Sequence, residues 1–180
     1  FGRLGNAHRW HQVCSILGSV VDGYMYNEFE TAVYAQPDMT VEELNSLFLS
    51  ITQDYGYDDY APEEWMEVTH LFQSPFYYVS YGTSALSALD IWLTSRTDWA
   101  GAVDSYMVIS ALPTTVTYEE AAGLAGLGDI FETATLEDLA QRQGKAMEEE
   151  LGDCVFSLLC LSEALGINAD RAFERVLEKY

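Results

Sequence analysis

Few positions in this chain have the residue types and spacing that catalysis needs. Three histidines occur, His8, His11 and His70. The first two form His-Arg-Trp-His, a spacing that sets both imidazoles on one helix face. A zinc peptidase helix requires His-Glu-x-x-His, with a glutamate acting as base between the ligands. No histidine here is followed by glutamate, so His8 and His11 read as amphipathic surface beside Trp10. His70 stands in a denser setting, Thr69-His-Leu-Phe-Gln-Ser-Pro-Phe-Tyr-Tyr-Val-Ser-Tyr81. An imidazole among tyrosine hydroxyls can donate to a developing oxyanion; the plainer alternative is a helix start followed by an aromatic core stripe. A second candidate is acidic. Glu150 and Asp153 lie three apart and share a helix face, and hard oxygen ligands suit Mg²⁺. The alternative there is a solvated acidic turn. Cys14, Cys154 and Cys160 are odd in number with no paired spacing, and the last two sit in an apolar run, so they read as buried free thiols rather than a disulfide framework.

The charge balance excludes several partners. Eight Lys and Arg stand against 29 Asp and Glu, a net −21. Reading a phosphate backbone requires clustered cations, and none lie between Arg9 and Arg96, a stretch with 13 acidic residues. Nucleic acid and an anionic membrane surface are therefore not expected partners. A composition 49% hydrophobic and 13% aromatic is enough to build a core, which excludes disorder. No apolar run reaches the length of a membrane span, and no secretory signal is visible. Cytoplasm is the expected location. The chain opens on Phe1 rather than Met, which leads us to expect an upstream portion.

The elements that must carry these residues read almost entirely as helix. Trp10 to Tyr34 is one long helical stretch that can break at Gly18 or Gly23. Thr40-Val-Glu-Glu43 is a capping box, followed by Leu44, Leu47, Phe48 and Ile51 on one face. Pro75 opens a helix to about Ser95, with Tyr78, Tyr81, Leu86, Leu89 and Leu93 pointing inward. Thr97 or Asp98 caps the next helix. Thr117-Tyr-Glu-Glu120 begins a short one that stops at Gly126-Leu-Gly128. Thr135 starts a helix that can reach Leu165, weakened at Gly144 and Gly152, and Asn168 caps a last one from Ala169 to Lys179. The fold class is all-α.

Several ordered blocks resemble the C-terminal catalytic region of oligoendopeptidase F-type zinc peptidases, relatives of thimet oligopeptidase. These are Asn27-Glu-Phe-Glu-Thr-Ala-Val-Tyr34, Pro37-Asp-Met-Thr-Val-Glu-Glu-Leu44, the stretch from His70 to Tyr81, Gly82-Thr-Ser-Ala-Leu-Ser-Ala-Leu89, Tyr118-Glu-Glu-Ala-Ala-Gly-Leu-Ala-Gly-Leu127 and Phe131-Glu-Thr-Ala-Thr-Leu-Glu-Asp-Leu139. The resemblance covers roughly residues 10–140. It implies an all-α fold with a cleft for short peptides. It also implies that His70 and Tyr78 or Tyr81 contact the substrate and stabilise the tetrahedral intermediate. Zinc hydrolysis needs three protein ligands and an open position for water. The His-Glu-x-x-His and downstream glutamate that provide them in the family are absent from this chain. The chain is therefore expected to be either a fragment or inactive by itself, with zinc bound in an intact relative but not here.

The tail is similar to the second half of a MazG-type nucleotide pyrophosphohydrolase. The resemblance rests on Glu148-Glu-Glu-Leu-Gly-Asp-Cys-Val-Phe-Ser-Leu-Leu-Cys-Leu161, Glu163-Ala-Leu-Gly-Ile-Asn168 and Phe173-Glu-Arg-Val-Leu-Glu-Lys-Tyr180. It implies that Glu150 and Asp153 help hold Mg²⁺ against a nucleoside triphosphate. No convincing copy of the partner motif, Glu-Glu-x-x-Glu, stands ahead of them: Glu119-Glu120 belongs to the peptidase-like blocks, and position 123 is Gly. Composition changes at the same place. Residues 1–138 hold 3 basic and 21 acidic residues, and residues 139–180 hold 5 and 8. The expected organisation is a peptidase-like helical segment over 1–139 and a MazG-like helical hairpin over 140–180. The leading expectation is the substrate and oxyanion side of a metallopeptidase acting on short peptides. The alternatives are a Mg²⁺-dependent pyrophosphohydrolase completed by homo-oligomerisation through the tail, or a non-catalytic acidic helical interaction module.

Overall fold

The computed structural model describes residues 2–164 together with residues 166, 168, 171 and 175. The fold is all-α: among the described residues there are seven α-helices, one 3₁₀ turn and no strand. The first helix, α1 (Gly2–Ala35), passes Gly18 and Gly23 without a break. It is the spine of the molecule, because it takes part in both cores. Its C-terminal half contributes Met25, Tyr26 and Phe29 to a cluster completed by Phe48, Ile51, Trp65 and Leu71. Its earlier residues Ile16, Leu17, Val20 and Tyr24 pack against a second cluster of Leu86, Leu89, Leu93, Ile130, Leu139 and Ala146. Each fully buried large side chain contributes about 1.5–3 kcal/mol, so α1 cannot move without disturbing both cores.

Local chemistry fixes the other elements. In α2 (Val41–Asp54) the Thr40 hydroxyl accepts the Glu43 N–H, and the Glu43 carboxylate accepts the Thr40 N–H in return, a complete capping box. Its Phe48 and Ile51 face α1. The 3₁₀ turn Glu64–Glu67 buries Trp65, whose indole N–H donates to Asn45 Oδ1 at 2.9 Å. A single helical turn, α3 (His70–Gln73), follows. Next comes α4 (Val79–Ser95), burying Leu86, Leu89 and Leu93 as the periodicity requires. Asp98, rather than Thr97, caps α5 (Trp99–Ala111) by accepting the Gly101 N–H. A second capping box, Thr117 with Glu120, opens α6 (Tyr118–Ala125), and Gly126 at φ 70° closes it in the left-handed conformation that glycine adopts freely. The last long helix, α7 (Thr133–Ala164), runs through Gly144 and through residue 140 without interruption. Beyond it, Asn168 Oδ1 accepts the Arg171 N–H, as a cap would. Within the expected Ala169–Lys179 helix, Arg171 and Arg175 are helical, and its other residues lie outside the described ones.

Two details depart from the periodicity. The helix expected from Pro75 begins four residues later, at Val79. Phe76 takes φ 61°, the left-handed region, so helical backbone cannot run through it. Tyr81, expected inside, is 43% exposed.

The contact between α1 and α4 is the most extensive in the fold and depends on two glycines. A Cβ placed on Gly23 would collide with the backbone N and Cα of Gly82, and one on Gly82 would press on the Tyr24 ring. Backbone cannot yield as a side chain can, so only glycine permits this crossing. Gly23→Ala is expected to lower the unfolding free energy by about 1–3 kcal/mol. Gly18→Ala, with nothing near its Cβ position, is expected to leave it unchanged or raise it slightly. Parallel urea denaturation of the two variants checks both.

Candidate functional site

The turn between α3 and α4 gathers the aromatic residues that the sequence singles out. His70 opens α3, and Tyr78 and Tyr81 stand at the start of α4. The His70 imidazole stacks on the Tyr78 ring, centroids 5.1 Å apart and planes 3° from parallel. Tyr81 closes the triangle, 5.9 Å from His70 and 5.1 Å from Tyr78. Tyr77 adds an exposed edge against Tyr81 at 5.6 Å. His70 Nε2 is buried with no hydrogen-bond partner. The three candidate residues therefore form one cluster, with Tyr81 at the surface and His70 beneath. Burial pushes the Tyr78 hydroxyl above the usual tyrosine range, and Asp22, Tyr60 and Tyr81 push it further. It stays protonated, and a donor, at neutral pH.

The cluster rests on α1. Glu30 is 2% exposed, and its Oε1 accepts the Phe76 N–H at 2.8 Å while its Oε2 has no partner. Burial raises the carboxyl's pKa, while the Phe76 amide and the nearby His70 pull it back down. Phe76 is the one non-glycine residue at positive φ among those described, a conformation that costs about 1–2 kcal/mol. Sequence reasoning missed Glu30. The available signal was a carboxylate next to Phe29 and four residues after Tyr26, on the buried face of a helix.

Beside the cluster a cavity of about 500 Å³ is lined by Tyr26, Tyr57, Tyr60, Asp59, Glu64, Glu67 and Val68. The Tyr26 ring joins it to the site, 4.5 Å from Tyr78. Tyr57 donates to Asp22 Oδ1 at 3.1 Å, and burial followed by that carboxylate raises its pKa to about 12. Tyr26 is driven up further still, by burial first and then by Tyr60, Tyr78 and Asp22.

The second candidate lies elsewhere, in a groove of about 760 Å³ between the C-terminal end of α4, the start of α1 and α7. Glu150 is not a solvated residue: it is 3% exposed. Arg96 binds it through one terminal nitrogen and donates through the other to Glu149 at 2.7 Å, with its guanidinium over the Trp92 ring. Arg9 stands 3.7 Å from the same Glu150 carboxylate. Burial alone would lower the Arg96 pKa, but Glu150 and Glu149 outweigh it and raise it. Asp153 lines the groove and is exposed. Thus Glu150 and Asp153 share a face as their spacing requires, and the buried member is engaged by a guanidinium. A neighbouring pair, Arg142 with the buried Asp90 at 2.8 Å, ties α7 to α4 a few turns away. His8 and His11 are exposed on α1. Among the described residues no three His, Cys, Asp or Glu side chains are placed to hold a metal ion. Cys14 is exposed and Cys160 half-buried, both free; the Cys154 side chain lies outside the described residues.

Comparison with known proteins yields two likenesses, which overlap in part along the chain. The fold is shared with a crystal structure assigned as an oligoendopeptidase F, at a TM-score of 0.71 and 24% identity over 79% of this chain. That match takes in 26% of the other chain, so this chain spans about a quarter of its length. Residues 127–180 match the MazG nucleotide pyrophosphohydrolase domain. The uncharacterised protein YpjD of Bacillus subtilis (strain 168) is 44% identical over 41 residues, which are 23% of this chain and 37% of YpjD. The chain thus resembles a peptidase fold over most of its length and MazG at its C-terminal end. No described helix is long and apolar enough to cross a membrane.

The half-buried Tyr57 gives a titration test. A tyrosine whose folded pKa is raised above its unfolded value of about 10 contributes stability that is present below pH 10 and lost as pH rises through the folded pKa. Absorbance at 295 nm should show native Tyr57 ionising near pH 12, with stability falling above pH 10; Tyr57→Phe should remove that step. Removing Arg96 tests the groove. Arg96→Ala leaves Glu150 buried without its main partner and should cost about 1–3 kcal/mol, discounted because the guanidinium is partly exposed. Adding Glu150→Gln should recover part of the loss in denaturant unfolding.

Proposed function

We propose that this chain provides the substrate and oxyanion side of an oligoendopeptidase F-like metallopeptidase site for short peptides. The observation that carries the reading is the convergence of His70, Tyr78 and Tyr81 at one turn, with Tyr81 exposed. A neutral tyrosine hydroxyl is a fixed donor. Aimed at a peptide carbonyl, it stabilises the oxygen more as negative charge develops, and one such donor is worth about 2.7–4 kcal/mol of barrier. The fold shared with an oligoendopeptidase F supports the assignment. The exposed aromatic edge formed by Tyr77 and Tyr81 gives a peptide something to stack on.

Zinc does not fit the donors of this chain: the sequence has no His-Glu-x-x-His, and the described residues bring no three ligands together. No hydrolytic step is therefore assigned to these residues. Their part in the proposal is to bind the peptide and to present hydrogen-bond donors to it. On this reading the chain is inactive unless a zinc-bearing part is supplied to it, and it works in the cytoplasm.

The match of residues 127–180 to MazG favours a second reading, a Mg²⁺-dependent nucleoside triphosphate pyrophosphohydrolase that other copies of the chain complete. In it Glu150 and Asp153 would hold the cation, which must first displace Arg96 from Glu150. The Arg96 contact makes this the weaker of the two.

An assay of short quenched peptides with added zinc is expected to give no turnover above background. Robust cleavage that disappears on chelation would overturn the proposal that the zinc side is lacking. In parallel, pyrophosphate release from nucleoside triphosphates with Mg²⁺, abolished by Glu150→Ala or Asp153→Ala, would establish the second reading. A release that neither substitution changes would remove it.

A further inference from the structure

We propose that Glu30, together with Tyr34 one turn further along α1, is a positioning residue that clamps the Pro75–Tyr78 turn in the conformation that stacks His70 on Tyr78. Glu30 takes the backbone side of the turn, accepting the Phe76 N–H. Tyr34 takes the other side twice: its hydroxyl donates to the Leu71 carbonyl at 2.8 Å, and its ring lies 5.2 Å from that of Phe76. Residues four apart stand on one helix face, so a single stretch of α1 grips α3 through Leu71 and the turn through Phe76. His70 precedes one grip point and Tyr78 follows the other. The geometry between their rings is thus determined by α1 rather than by the turn itself.

Two observations separate this from ordinary packing. Phe76 is held at φ 61° although it is neither glycine nor asparagine, a state that persists only where surrounding contacts over-determine it. Glu30 sits at 2% exposure with one oxygen unpartnered, an expense that an apolar side chain of similar size would avoid. Packing alone gives no reason for a carboxyl here, whereas a fixed acceptor for the Phe76 amide does. The functional meaning of the clamp rests on the oxyanion reading above. Its geometry does not.

The test is NMR on the full chain. It follows hydrogen exchange of the Phe76 amide and the His70 ring proton shifts, which the stacked Tyr78 ring displaces. Glu30→Ala is expected to speed Phe76 exchange about tenfold, as for one lost hydrogen bond of typical strength, and to move the His70 protons toward their unstacked positions. Glu30→Gln keeps an acceptor oxygen and should preserve both signals. Unchanged signals in Glu30→Ala would overturn the proposal. So would a loss in Glu30→Gln equal to that in Glu30→Ala, which would assign the effect to charge beside His70. Should Glu30→Ala fail to fold, Tyr34→Phe decides with Glu30→Gln: it removes one hydroxyl, and an unchanged Phe76 amide would overturn the two-point clamp. These readouts need no peptide, so their failure leaves peptide binding standing, and a failure to bind peptide leaves the clamp standing.

Discussion

The approach of α1 to α4 at Gly23 and Gly82 is the constraint on which the rest of the structure depends. With no Cβ at Gly23, the backbones meet at a distance that would collide with any other residue. That crossing sets the register between the two helices. It puts Tyr26 against Tyr78, and it puts Glu30 and Tyr34 beside the turn that leads into α4. Tyr81 immediately precedes Gly82, so the exposed edge of the cluster lies next to the close backbone approach at Gly23. A site built on one loop would drift. This one is referenced to a 34-residue helix that also takes part in both cores.

The second organising feature is where the few cations go. Arg9, Arg96, Arg142 and Lys145, four of the eight basic residues in the sequence, line one groove and meet Glu149, Glu150 and Asp153 there. Asp90 and Glu150 are buried, and each is engaged by an arginine. Breaking a buried pair exposes an uncompensated charge, which is costly, whereas the intact pair adds little net stability. The pairs therefore act mainly to specify one docking of α7 on α1 and α4. The large net charge resolves in the same way. Most of the described acidic side chains lie on outer faces, while four of the eight basic residues are spent on this seam.

The elements were legible because their signals are local. Both capping boxes, the Gly126 stop and the apolar faces of α2 and α4 are written in residues three or four apart. The cluster of His70, Tyr78 and Tyr81 was legible as a set, through resemblance more than through spacing. Its geometry was not. Phe76, at positive φ, donates its N–H to a carboxylate 46 positions away, so the late start of α4 and the exposure of Tyr81 have no local signature. The same holds for Arg96 and Glu150, 54 residues apart. An acidic helix turn reads as solvated until its cation is found in space. The change of composition near residue 140 falls within α7, a helix that continues through it.

The proposed role of the His70, Tyr78 and Tyr81 cluster is to receive a peptide. Titration of an unlabelled short peptide into the isotopically labelled chain tests it most directly. Saturable shifts confined to His70, Tyr77, Tyr81 and their neighbours in the α3–α4 turn are expected, weakened by Tyr81→Phe. Shifts confined to the groove around Arg96, or none at the turn with the fold intact, would contradict it.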